Sequence, residues 1–441
     1  MIALTDIFDR EVFLSNTSHK LKVDRFLRRK QRKALKRQRR SKKRKHNKNG
    51  LASEYSSRVI TCLNNAAFAF PNDRHDSIVN LKIPKIFCLS REPNASILFL
   101  RKLYGAIMDP EVRSIHFDHT KCEVLGVCAS TVMDVILVEG EKWRKSINNP
   151  IMYGGVLLPR NRLSENSEVD KLLKISGIWE HLGIKHESYD EIEALKLQKD
   201  GESSEIAENV IEYINRSLHR HGLMLTNRGN NYFGKLLGEI ADNCYQHGGP
   251  NATWYTLGHY SYDRESASGK CQLVILDFGR TIYDGLKMDA TVSMQERIKH
   301  YVRRTRSWFQ TQESEETLYT LFSLQQRASR FAAKNDSVRG NGTVVFIDAF
   351  QRLFAGNSKD RKSLLSITSG KCSILFDGTY LLDEVTYSSQ YKNKIIAFNK
   401  ENDLKKPPDH RYVRSINNGF PGTIISMELH INNSLISRKE E

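Results

Sequence analysis

The chain has 441 residues, a formal net charge of +17, 39% hydrophobic residues and 27% charged residues, enough for about two or three domains with ordinary cores. No run approaches the roughly 18 apolar residues of a membrane span, the N-terminus lacks a secretory layout, and the seven cysteines form no CxxC. Disulfide-framed secreted proteins, membrane-spanning proteins and zinc fingers are therefore set aside, and a reducing cytoplasm is the expected compartment.

The charge comes first along the chain. Between Lys20 and Lys48 stand 17 Lys or Arg and one acid, Asp24, a net of +16, so the other 412 residues net about +1. The dense part holds Arg28, Arg29, Lys30, Arg32, Lys33, Lys36, Arg37, Arg39, Arg40, Lys42, Lys43, Arg44 and Lys45. Lys and Arg permit a helix, but like charges three and four residues apart oppose it, so residues 1–50 are expected to be a helical or disordered basic arm that orders on a polyanion. Its expected partner is nucleic acid, DNA or RNA, held through phosphates. A solvated tail or another acidic partner is the blander alternative. Val23, Phe26, Leu27 and Leu35 form too sparse a stripe for a membrane-lying helix.

After Gly50 the composition becomes ordinary. Residues 54–70 read as a helix. Strands are expected at 81–90, 113–120 and 150–159, alternating with helices at 95–109, 128–145 and 167–184. This βαβαβα order implies a sheet with helices packed on it, over a first domain of 51–194. The polar stretch 195–205 reads as a linker. A second unit, 206–435, holds helices at 206–222 and 231–249, strands at 252–262 and 270–279, and a long charged helical region at 290–334. A helix at 340–354, a hairpin around Ser369-Gly370 within 363–378 and a last strand at 422–431 complete it.

Three short motifs stand in this second unit. Glu239, Asn243 and His247 are spaced by four on one helix face, with Leu236, Leu237, Ile240 and Cys244 as the buried stripe. An amide oxygen can ligate Mg²⁺, and a carboxylate one turn away can orient or deprotonate water. Asp277-Phe278-Gly279 ends the apolar run LVIL. A carboxylate there can accept from an exocyclic amine, and a glycine lets a flat ring approach the backbone. Gly340-Asn341-Gly342-Thr343 opens a helix, where backbone N–H groups and the helix dipole favour phosphate. Taken singly, these motifs also fit a solvated helix face, an ordinary turn and a glycine cap.

In this order, followed by the GT of FPGTIISMEL, the motifs resemble those of the GHKL (histidine kinase, gyrase, MutL-like) ATPases over about 205–432. The resemblance implies a Bergerat-type α/β sandwich that binds ATP and Mg²⁺. It makes Glu239 the general base, Asn243 the Mg²⁺ ligand and Asp277 the adenine reader beside Gly279. Gly340 and Gly342 become phosphate-loop glycines, with Arg339 beside them, Thr423 helps hold adenine, and about 283–339 becomes the ATP lid. The sequence departs from the family's DxGxG box at Thr281, which stands where the second glycine is usual. His219 and His221 end a helix and are not expected to accept phosphate. His247 is expected to be structural.

The first unit, through RSIHFDHTKCEVLGVCASTVMDVIL and the SGI-containing helix, resembles a STAS domain. That implies docking on a protein partner. The family's phosphoacceptor serine falls near Gly126 or Val127, neither of which accepts phosphate, with Ser130 and Thr131 a turn later. The chain is thus expected to be a two-domain α/β protein: an ATP-driven conformational switch with slow hydrolysis, engaging nucleic acid or a partner through its basic arm. An anti-sigma-like serine/threonine kinase and a nucleic-acid-binding scaffold with a degenerate nucleotide site are the alternatives. Homo-oligomerisation is left open.

Overall fold

The computed structural model describes residues 57–70, 77–182, 187, 189, 192–200, 203–247, 252–263, 268–309, 314–325, 342–354, 362–388, 391–431 and 434–438. The basic arm, Arg339 and Gly340 lie outside the described residues. Helix α1 (Arg58–Asn65) is started by Ser57, whose hydroxyl accepts from the Ile60 N–H at 3.2 Å. It is shorter than the expected 54–70. The first expected strand is divided into β1 (Ile78–Lys82) and β2 (Ile86–Phe87) around Pro84, which has no N–H to give a ladder. Then come α2 (Pro93–Met108), β3 (Ser114–Asp118), β4 (Val124–Leu125), α3 (Val127–Ser146), β5 (Met152–Gly155) and α4 (Ser167–Ile175), the last capped by Asn166. The alternation expected from the sequence is present. Strands β1, β3 and β5 form a parallel sheet in the order β1-β3-β5, and β2 pairs with β4.

The chain continues through β6 (Ile192–Lys199), α5 (Ser203–His219), β7 (Leu223–Leu225), α6 (Asn227–His247), β8 (Thr253–Asp263) and β9 (Ser268–Phe278). Three helices follow, α7 (Ile282–Asp289), α8 (Val292–Phe309) and α9 (Glu315–Ser323), and then α10 (Gly342–Phe354). The last strands are β10 (Leu364–Phe376), β11 (Asp383–Ser388), β12 (Tyr391–Ile395), β13 (Val413–Ile431) and β14 (Ile436–Arg438). The main sheet is antiparallel, in the order β10-β13-β9-β8-β6. The protein is thus mixed α/β with several sheets, and among the described residues no helix is long and apolar enough to cross a membrane.

Two segments differ from expectation. Residues 195–199, read as the start of a linker, belong to edge strand β6, and α5 begins at Ser203. A register shift between Leu195 and Gln198 breaks the alternation that would mark a strand: Leu195 joins the core beneath α5 and α6, while Leu197 packs against the core on the opposite face. The expected hairpin at Ser369-Gly370 is one continuous strand, β10. Gly370 has φ +54°, the conformation a turn would use, but the chain bulges there and runs on along β13.

Both faces of the main sheet are covered. Along β9, Leu273 and Ile275 join the core built with α5, α6 and α10. Val274, Leu276 and Phe278 join the core built with α1, α2 and α3. Double burial explains why β9 reads as an unbroken apolar run. Residues Ser56–Glu441 accordingly form one compact unit. A buried carboxylate fastens its layers: Glu139 of α3 accepts from Ser57 Oγ at 2.8 Å and from Lys199 Nζ of β6 at 3.2 Å. A third, smaller core joins α7, α8 and α9.

Candidate functional site

Helix α6 begins where the Thr226 hydroxyl accepts the Gly229 N–H at 3.1 Å. Phe233, Leu236, Leu237, Ile240 and Cys244 recur at helical spacing and are buried. That stripe fixes the rotation of the helix and sets Glu239 and Asn243 on its half-buried flank. The flank meets the first turn of α10. A Cβ added to Gly342 would lie 2.7 Å from Glu239 Oε2 and 3.7 Å from Asn243 Oδ1. Two motifs about one hundred residues apart in the chain are therefore in contact, and a glycine is what lets them approach. The N–H end of a 13-residue helix points its partial positive charge at the same place.

The third motif lies at the end of β9. Asp277 pairs in register with Thr423 of β13 and is 2% exposed. By strand parity its side chain shares the face of Leu273 and Ile275, the α6 side, and its charge is felt by the Cys244 thiol of α6. Its Oδ1 has no hydrogen-bond partner among the described residues. Burial holds its carboxyl well above the usual range, partly offset by the Thr423 backbone N–H. A buried carboxyl with an unused oxygen is costly unless something fills the gap.

Close backbone approach shapes the surroundings of Asp277. Gly422 has φ +130°, and a Cβ there would lie 1.9 Å from the Asp277 carbonyl oxygen and 3.1 Å from the Gly279 nitrogen. The next residue, Thr423, bonds through its hydroxyl to Ser369 Oγ at 3.0 Å. Ser369 also donates to the Gly422 carbonyl at 3.1 Å and accepts the Ile282 N–H at 2.9 Å. It therefore ties β10, the β9–α7 turn and the GT step of β13 together. The sequence reading missed Ser369, and no local motif marks it. Thr281 has a definite role: its hydroxyl accepts the Asp284 N–H at 3.0 Å and caps α7. A helix start therefore stands where a second glycine was expected.

Of the expected site residues, Glu239, Asn243 and Gly342 come together as one group. Asp277, Gly279 and Thr423 come together as another, and both groups border α6. His247 ends α6. Arg339, Gly340 and the thirteen arm residues from Arg28 to Lys45 lie outside the described residues. A separate groove of about 950 Å³ runs between α1 and this end of the sheet, lined by Arg58, Cys62, Phe68, Gly279, Thr281 and Lys371 among others. Neither Glu239 nor Asn243 lines it. The Cys62 thiol there is pushed up to about 11 by burial and by the Asp277 charge.

In α3, the Ser130 and Thr131 hydroxyls are buried and both donate to the Val127 carbonyl, at 3.1 and 2.7 Å. Comparison with protein-family models, curated proteins and solved structures finds no match.

Proposed function

We propose that the chain is a GHKL-like, Mg²⁺-dependent ATP-binding protein that hydrolyses ATP slowly and uses nucleotide binding to change conformation. The observation that carries this is the meeting of Glu239 and Asn243 with the first residue of α10, on the helix that also borders the orphaned carboxyl of Asp277. Each group suits one end of a nucleotide. Asp277 offers an unused oxygen to an exocyclic amine, and Thr423 is held beside it by Ser369. The Asn243 amide oxygen suits Mg²⁺, which favours oxygen ligands and few protein contacts. When bound, Mg²⁺ would neutralise phosphate charge. The N–H groups of α10 can face phosphate oxygens. Glu239 can orient water and take its proton.

The first unit is proposed as a STAS-like docking module without a phospho-switch, since the Ser130 and Thr131 hydroxyls are occupied within their own helix. The basic arm is proposed to engage nucleic acid through phosphates.

Calorimetry of ATP binding with and without Mg²⁺, on wild type and Asn243→Ala, tests the site, with product analysis on the same samples. Mg²⁺-dependent binding lost in the variant is the expected result, with ADP and free phosphate as products. Protein-bound label would replace hydrolysis by kinase chemistry. No binding by folded wild type would end the nucleotide proposal.

A further inference from the structure

We propose that the exposed side of α8 is a second polyanion-binding surface, and that its partner is the phosphate backbone of a nucleic acid. This surface is separate in sequence from residues 1–50 and falls within the span of about 283–339 that the resemblance makes the ATP lid. Helix α8 holds Arg297, Lys299, Arg303, Arg304 and Arg306 against one acid, Glu296. Met294, Ile298 and Val302, spaced by four, bury one side of it against Leu318, Tyr319 and Phe322. Lys299, Arg303 and Arg306 follow at spacings of four and three on another side, and all three are exposed. They form one stripe about 10 Å long at 1.5 Å per residue.

None of the three forms an ion pair among the described residues, and Glu296 pairs with none of them. Cations on neighbouring elements are paired: Lys287 with Glu315 at 3.4 Å and Arg280 with Asp289 at 2.9 Å. Like charges at these spacings weaken a helix, so the stripe persists because the buried side holds α8 in place. A row of Lys and Arg that has no ion pair among the described residues, on a fixed platform, suits a partner that supplies many anions in series. A membrane-lying helix needs a wide apolar face, and the apolar side of α8 is used up in the third core. Phosphate contacts need no base reading, and flexible cations suffice for them.

The test uses the full chain, with salt titrations of binding to a labelled duplex DNA and to a labelled single-stranded RNA. The variant is Lys299→Gln/Arg303→Gln/Arg306→Gln. The control neutralises three other exposed cations, Lys102→Gln/Lys400→Gln/Lys405→Gln. Each lost phosphate contact lowers the slope of log K against log salt by about 0.9 for duplex and about 0.7 for single strands. The triple variant should lower the slope by about 2–3 and weaken binding roughly 100- to 500-fold near 0.1 M salt, with the control unchanged. An unchanged slope overturns the proposal and leaves the arm's role intact. So does loss of binding to phosphatidylserine vesicles with nucleic-acid binding retained. If the triple variant loses its cooperative melting transition, Arg303→Gln alone decides, through a slope change of about 0.9 or none. The titrations are run without nucleotide, so a reduced slope stands whether or not the chain binds ATP, and failure of the nucleotide site is read separately from ATP calorimetry on wild type.

Discussion

Replacing Gly342 by alanine separates chemistry from stability. The added methyl would sit 2.7 Å from Glu239 Oε2, whereas ordinary contact begins at 3.4 Å. The carboxylate must therefore retreat by about 0.7 Å, and a misplacement near 1 Å can cost about 100-fold in rate. The obstructing atom is the end of a flexible side chain, so the fold can give way cheaply. A strained rotamer costs about 0.5–1.5 kcal/mol, and at the first residue of α10 alanine gains little helix propensity over glycine. Stability should thus stay within about 1.5 kcal/mol of wild type while the proposed ATP turnover falls by about 10- to 100-fold. Melting temperature, ATP affinity by calorimetry and steady-state ADP release would be measured on wild type, Gly342→Ala and Glu239→Gln. Turnover within twofold of wild type in Gly342→Ala, alongside an inactive Glu239→Gln, would refute the claim that this contact positions the base.

Two further outcomes concern stability. Gly422→Ala should be strongly destabilising, by about 3 kcal/mol or more, because its methyl would meet the Asp277 carbonyl at 1.9 Å and φ is +130°; a chemical-denaturation midpoint equal to wild type would contradict it. Burial lowers His119 to about 3 and His259 to about 4, the latter also through Lys270, so both are neutral in the fold and gain protons on unfolding. Their contribution is fully present above about pH 6.5 and is lost as pH falls towards those values, at up to about 1.4 kcal/mol per pH unit for each. Asp277, with its raised carboxyl, acts in the opposite direction, so the informative quantity is the difference between chains. His119→Phe should flatten the decline in urea midpoint between pH 6.5 and 4, and an unaltered slope would show that His119 does not govern it.

The local patterns in the sequence carry most of the helices and the parallel strands, because each buries one stripe or a short apolar run. The stripe Leu236, Leu237, Ile240 and Cys244 foretells the rotation of α6, and with it the flank that bears Glu239 and Asn243. What the sequence conceals depends on partners far along the chain. Ser369 matters through Thr423 and Ile282, which lie 54 and 87 residues away, and nothing adjacent to it signals that. Gly370 has the left-handed φ common to a turn and to a bulge, and only the long partner β13 decides between them. Leu195 and Leu197 face opposite cores because a bulge separates them, which local alternation cannot reveal.

Strand parity explains why so short a motif can still place a site. In LVILDF the side chains alternate between two buried faces. Leu273 and Ile275 enter the core of α5, α6 and α10, while Val274, Leu276 and Phe278 enter the core of α1, α2 and α3. Asp277 falls on the α6 face by that count. Shifting β9 by one residue would exchange the faces and put a carboxyl among Phe420, Ile424 and their neighbours. The cost of burying an acid there, and of exchanging every side chain of a doubly covered strand, opposes such a slip. The apolar residues that make β9 look featureless therefore hold Asp277 beside the helix that carries Glu239 and Asn243.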